Sequence, residues 1–143
     1  MDFPDNGPAA CPSVYSFTYG NVAVLSLDAN DVSFEIRSNT GYSDGTQNSW
    51  VERTLAAYRA DPNVDFIVCF FHHCAYSTVQ AHASDGGVRD AGDGLFDRYR
   101  VDLVLQGHDH TYGRRAGDTR GKALPQFVVS VAGPKQYRLS DEA

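Results

Sequence analysis

Apolar residues in this chain fall in short runs whose spacing alternates between the period of a strand and that of a helix. Tyr15-Ser16-Phe17-Thr18-Tyr19 and Val22-Ala23-Val24-Leu25-Ser26-Leu27 flank Gly20-Asn21, a pair tolerant of positive φ, and this predicts a β-hairpin. The second strand is apolar at nearly every position and belongs inside a sheet. After a polar stretch through Gly45, Val51, Leu55 and Tyr58 share one face of a helix predicted over Ser49–Ala60, which Asp61-Pro62 closes. Phe66–Phe71 is a continuous apolar run and predicts a buried strand. Leu95, Phe96 and Tyr99 mark a short helix, and Val101–Leu105 and Gln126–Val131 predict two more strands. Met1–Ser13, with Pro4, Gly7, Pro8 and Pro12, reads as loop. Helices alternating with buried strands indicate α/β layering in a single domain over 1–143, without repeats or low-complexity segments.

Composition narrows the function classes. The formal net charge is −6 with a pI near 5.1, which argues against a partner held by phosphate neutralisation, so no nucleic acid is expected. The locally basic stretch Arg114, Arg115, Arg120, Lys122 is interrupted by Asp118 and reads as a solvated loop. No apolar run approaches the roughly 20 residues that cross a bilayer, and the first residues have neither the basic nor the apolar part of a signal peptide. Cys11, Cys69 and Cys74 show no CxxC spacing, and an odd count cannot close entirely into internal disulfides. Cys69 reads as a buried small hydrophobe, while Cys74, beside two histidines, is a weak metal-ligand candidate.

The candidate chemistry sits at two strand ends. Phe66–Phe71 stops abruptly at His72-His73, and Val101–Leu105 leads into Gly107-His108-Asp109-His110. Ligands of open α/β folds collect beyond the carboxyl ends of strands, and neutral imidazole suits zinc, iron and copper. His72, His108 and His110 are therefore metal-ligand candidates. Gly107, lacking Cβ, allows a sharp turn and close approach. His73 is an intermediate candidate, His82 lies in the polar segment Gln80–Gly87, and Asp109 reads as a solvated or outer loop residue. Nucleophilic alternatives fit less well. There is no GxSxG elbow, Ser77 or Cys74 pairs with His73 only by closeness in sequence, and Asp85-Gly86-Gly87 lacks the Walker spacing.

With these residues in place, the chain resembles the C-terminal half of a calcineurin-like metallophosphoesterase of the purple acid phosphatase branch. Phe70-Phe71-His72-His73-Cys74-Ala75-Tyr76 is similar to the family's strand-end histidine with Tyr four residues later. Gly107-His108-Asp109-His110-Thr111-Tyr112-Gly113-Arg114 is similar to its GHxHxYxR segment, and the Tyr15–Leu27 hairpin to its Tyr-Ser-Phe…Gly-Asn-Val strand pair. The resemblance implies a layered α/β/β/α sandwich whose N-terminal half is missing here. It also implies phosphate-ester hydrolysis by metal-activated water at a dinuclear centre, iron with zinc, manganese or a second iron. His72 and His108 would ligate one ion and His110 the other. His73 and His82 would be catalytic, donating a proton to the departing alkoxide. A secreted or extracellular location is suspected on the same ground.

Two departures qualify the likeness. His73 stands where many relatives have Ser or Ala, and Gly113 replaces a frequent Glu. The family's GDxG, GDxxY and GNHE segments, which supply aspartates, the asparagine and a further ligand, have no match in the chain. Partial or no metal occupancy and little hydrolysis are therefore expected of these residues alone. Loss of the first-half strands is expected to leave apolar faces uncovered, and self-association through exposed sheet edges is a further expectation. The competing function is a non-enzymatic metal-binding or self-associating module.

Overall fold

The computed structural model describes residues 3–115, 126–129 and 137–139. Six strands form one sheet among them: β1 (Tyr15–Tyr19), β2 (Val22–Ser26), β3 (Phe66–Phe71), β4 (Leu103–Gln106), β5 (Gly113–Arg115) and β6 (Gln126–Val129), in the order β1-β2-β3-β4-β6-β5. β2, β3, β4 and β6 run parallel, and β1 and β5 are antiparallel edge strands. The hairpin forms as expected, with Gly20 at φ 59° in its turn. Residues 130 and 131, at the end of the last expected strand, lie outside the described residues.

Helix α1 (Thr46–Ala60) joins β2 to β3, and α2 (Gly86–Arg98) joins β3 to β4. Each crossover advances one place in the same direction across the sheet. The shared right-handedness of such connections therefore puts both helices on one face. Trp50, Val51 and Leu55 of α1 and Val88 and Phe96 of α2 close a core there against Leu25, Ile67, Cys69, Phe71, Val104 and Phe127.

Both helices begin earlier than their apolar spacing predicts. In α1, Gln47 is buried and donates to Asp31 Oδ2 and the Asp28 carbonyl, while Ser43 donates twice to the same Asp31 carboxylate, its hydroxyl to Oδ2 and its backbone N–H to Oδ1. A polar network anchors that first turn. In α2 the glycines at 86, 87, 92 and 94 dilute the pattern, each costing about 1 kcal/mol of helix propensity.

Asp85 compensates as the α2 N-cap. Its carboxylate accepts from the Val88 N–H at 3.0 Å, and across the fold from Ser33 Oγ at 2.6 Å and the Phe34 N–H at 3.1 Å. Burial by itself would raise this carboxyl. The hydrogen bonds from Ser33, Val88, Phe34 and Gly87 outweigh burial and hold its pKa below the ordinary 3.8. A depressed folded pKa means a contribution that is complete above pH 3.8 and lost as pH falls through the folded value. Asp85→Ala is expected to cost about 2–3 kcal/mol in urea unfolding at pH 7. The gap from wild type should close only in stronger acid. Equal midpoints at pH 7 would remove this clamp from the account.

The other face of the sheet carries no helix among the described residues. Strand register aligns Tyr19, Val22 and Phe66 in one outward row. Phe17, Val24, Val68 and Leu103 form a second. Tyr15, Ser26, Phe70, Leu105 and Val128 form a third.

Candidate metal centre

β3 and β4 are parallel neighbours in register from Val68↔Leu103 to Phe71↔Gln106, so the residues that follow them emerge side by side. His72 and His108 meet there, with His72 Nε2 3.2 Å from His108 Nδ1. Gly107 makes room: a Cβ at that position would lie 3.0 Å from His72 Nδ1. His108 itself sits at φ 67°, a left-handed backbone that a side chain adopts at some cost, of the kind that collects at functional sites.

The other ring nitrogen of His108 faces a second group. Its Nε2 lies 3.1 Å from His82 Nδ1 and 3.0 Å from Glu35 Oε2. Glu35 also contacts His73 Nε2 at 3.5 Å and His82 Nδ1 at 4.0 Å. One proton arrangement satisfies the metal-free cluster: His72 donates to His108 Nδ1, and His108 Nε2–H donates to the Glu35 carboxylate.

One donor atom each from Glu35, His82 and His108 lies within 4.8 Å of the others. Two nitrogens bound at about 2.0–2.1 Å on a tetrahedral ion stand about 3.3 Å apart. The 3.1 and 3.0 Å separations at His108 Nε2 are near that edge and the third, between His82 and Glu35, is wider at 4.0 Å, so the N₂O group would hold one divalent cation in place of the shared proton once His82 and Glu35 draw together. Burial, and then the facing His73, lower the His72 pKa from 6.5 against the opposing pull of Glu35. Burial also lowers that of His108, with Glu35 again opposing and His82, His72 and His73 adding to it. Both imidazoles therefore stay neutral to lower pH than usual, the form a metal requires.

The five histidines are not placed alike. His72, His73, His82 and His108 gather around Glu35, and His73 is only 5% exposed. His110 stacks on Tyr137 at 4.6 Å, and its buried Nδ1 has no hydrogen-bond partner among the described residues. Asp109, expected either in solvent or just outside the ligands, is 1% exposed beside Cys74, which excludes the first alternative. The left-handed turn at His108 sends the next side chain inward. Cys74 is no thiolate: burial pushes it up to about 12, and its Sγ donates to the Gly107 carbonyl, tying the two loops together. Ser77 donates to the His82 carbonyl rather than to an imidazole, which disfavours a Ser-His pair.

Glu35 had no signal in the sequence. It lies in an exposed, turn-rich stretch, and it reaches the histidines because Asp85 clamps the neighbouring Ser33 and Phe34.

No family model matches the chain. An uncharacterized protein of Mycobacterium tuberculosis, Rv2577, is 41% identical over 117 residues, 78% of this chain and 22% of that protein. Purple acid phosphatase 22 of Arabidopsis thaliana is 28% identical over 118 residues, 82% of this chain and 25% of that protein. The chain thus spans about a quarter or less of these curated relatives. Among solved structures, purple acid phosphatase PPD1 from yellow lupin seeds superposes with a TM-score of 0.66 at 17% identity, covering 91% of this chain and 25% of that one. GAP50, the anchor in the inner membrane complex of Plasmodium, superposes with a TM-score of 0.61 at 16% identity, covering 90% and 40%. In sequence and in fold, over a fraction of their length, this chain resembles the purple acid phosphatases.

Proposed function

We propose that this chain is the histidine-bearing portion of a metal-assisted phosphate-ester hydrolase. The observation that carries the reading is the His108 ring, with His72 on one nitrogen and His82 and Glu35 on the other. A cation held there would offset charge on phosphoryl oxygens and make bound water acidic enough to attack at mild pH. His72 and His108 are ligands in this reading, meeting at His108 Nδ1, while Glu35 faces the other nitrogen of the same ring. His110, with its unpaired buried Nδ1, is the donor left for a second ion.

His82 and His73 hold the proton that the leaving alkoxide takes up. His82 is the more open of the two, and a cavity of about 370 Å³ beside it is lined by Phe34, Ala81, Ala83 and Gly86 together with Glu35, Ser84 and Asp85. A departing group fits there within reach of the His82 ring. Among the described residues no second carboxylate joins Glu35 in the donor group, so one ion at most is matched by this group.

The Glu35–His82–His108 group favours a second reading, a binding module in which His82 is itself a ligand, so that His82→Ala loses the ion, and a single ion is held without catalysis. Metal content measured together with p-nitrophenyl phosphate turnover separates the two. In the hydrolase reading, His82→Ala lowers turnover at least tenfold in an active form and leaves metal content near wild type. Loss of the metal, with no turnover in any metal-loaded form, would replace the hydrolase by the module.

A further inference from the structure

Phe34 is 47% exposed, yet its ring is held in place. Its backbone N–H is tied to the Asp85 carboxylate at 3.1 Å, and the ring lies across the glycine pair that opens α2. Cβ atoms built on Gly86 and Gly87 would stand 3.6 and 2.9 Å from it, so two residues without side chains let the ring seat against the first turn of the helix. Arg37 stands 5.8 Å from the ring centroid, at the limit of a cation–π contact, and leaves nearly half of the residue accessible.

Phe34 lines the same cavity of about 370 Å³ as Glu35 and His82, the two residues that face His108 Nε2. The cavity stands over the start of α2, on the helix-bearing side of the sheet and away from the helix-free face. A cavity of about 150 Å³ lined by apolar side chains holds benzene, so there is room here for an aromatic ring with substituents. Ala81, Ala83 and Gly86 in the wall are too small to fill that space. The acidic residues of the lining are Glu35 and Asp85, and no lysine or arginine is among them.

We propose that Phe34 is the specificity-determining residue for the leaving group and that this group is a neutral aromatic alcohol, so that the substrate class is an aryl phosphate ester. The proposal rests on the hydrolase reading, with the phosphoryl group on the cation and the leaving oxygen at His82. The aromatic ring of the ester then lies in the cavity against the Phe34 ring. A flat side chain that is already immobile supplies apolar and stacking contact at little ordering cost. A leaving group that carries further phosphates or carboxylates meets Glu35 and Asp85 instead and is disfavoured by like charge.

Calorimetric titration of the zinc-loaded full chain with two phosphonates tests this. Benzylphosphonate has a methylene in place of the ester oxygen of phenyl phosphate, so nothing is hydrolysed, and ethylphosphonate is its counterpart without the ring. Wild type is expected to bind benzylphosphonate at least about tenfold more tightly than ethylphosphonate. Phe34→Ala is expected to bring the two within about twofold, with zinc content and ethylphosphonate affinity unchanged, whereas Phe34→Trp, which keeps a flat face, retains the preference. Should Phe34→Ala lose zinc through the neighbouring Glu35, Phe34→Leu keeps apolar bulk without a flat face and is expected to cut the preference to about threefold. A preference that survives Phe34→Ala, or one absent from wild type while ethylphosphonate binds, overturns the proposal and leaves the hydrolase reading standing. A chain that takes up no zinc, or that binds neither phosphonate when loaded, overturns that reading and the proposal with it.

Discussion

His108→Ala is expected to weaken zinc binding by more than about hundredfold and to abolish the thermal stabilisation that zinc gives wild type. The magnitude follows from the position of the ring. Replacing a residue that merely supports a metal ligand costs about 10- to 100-fold in affinity, and a ligand must cost at least as much. His108 is also the residue through which the two halves of the cluster touch, His72 at 3.2 Å on Nδ1 and Glu35 at 3.0 Å on Nε2. Its removal leaves His72 and the Glu35–His82 pair without a common partner. At a zinc concentration about 100 times the dissociation constant, binding contributes about 2.7 kcal/mol to wild-type stability. For a chain of this size that is about 10 °C in Tm, which the variant should not show.

The pKa directions add a pH signature. His72 and His108 are lowered from 6.5, so wild-type zinc affinity should hold as pH falls to that value and decline below it, where the folded imidazoles take up protons. Calorimetric titration across pH 5.5 to 7.5 measures both effects. Zinc binding by His108→Ala within about threefold of wild type would place the ion elsewhere.

Much of this centre was legible because its first half is local. A continuous apolar run that ends at a histidine marks a strand end from sequence alone, and two such ends on neighbouring parallel strands must lie together. His72 and His108 meet for that reason. Glu35 was hidden because nothing near it in sequence indicates where it goes. Its place depends on hydrogen bonds from Ser33 and Phe34 to Asp85, some fifty residues later.

The hairpin and β3 show the same division. A turn pair and an unbroken apolar run are properties of a few adjacent residues. The first turns of α2 are not: four glycines weaken its intrinsic signal, and its start is set by an N-cap that also grips another segment. β5 is three residues long and pairs with β6 alone, so its strand character arises from a partner more than ten residues away. The open face was legible as an expectation of uncovered apolar surface. Register was needed to show that its rows cross neighbouring strands, the third of them from β1 to β6.

Gly87→Ala is expected to destabilise the fold by about 3 kcal/mol, or about 10 °C in Tm, whereas Gly94→Ala should stabilise it by up to about 1 kcal/mol. Both glycines lie in α2, so helix propensity favours both changes equally. Surroundings separate them. A Cβ on Gly94 meets nothing within 4 Å, but one on Gly87 lands on the Val32 carbonyl oxygen, well inside van der Waals contact, and 2.9 Å from the Phe34 ring. A backbone oxygen cannot swing aside as a flexible side chain does. Either the first turn of α2 or the 32–34 segment has to move, and each is held: α2 by Val88 and Phe96 in the core, the segment by the Asp85 carboxylate. Because Glu35 directly follows that segment, Gly87→Ala should also weaken zinc binding in the fraction that remains folded. Urea unfolding of the two variants, with zinc titration of each, measures this coupling. If Gly87→Ala unfolded within about 0.5 kcal/mol of wild type, the helix and the Glu35 loop would not be in contact, and the route by which Glu35 reaches the histidines would have to be redrawn.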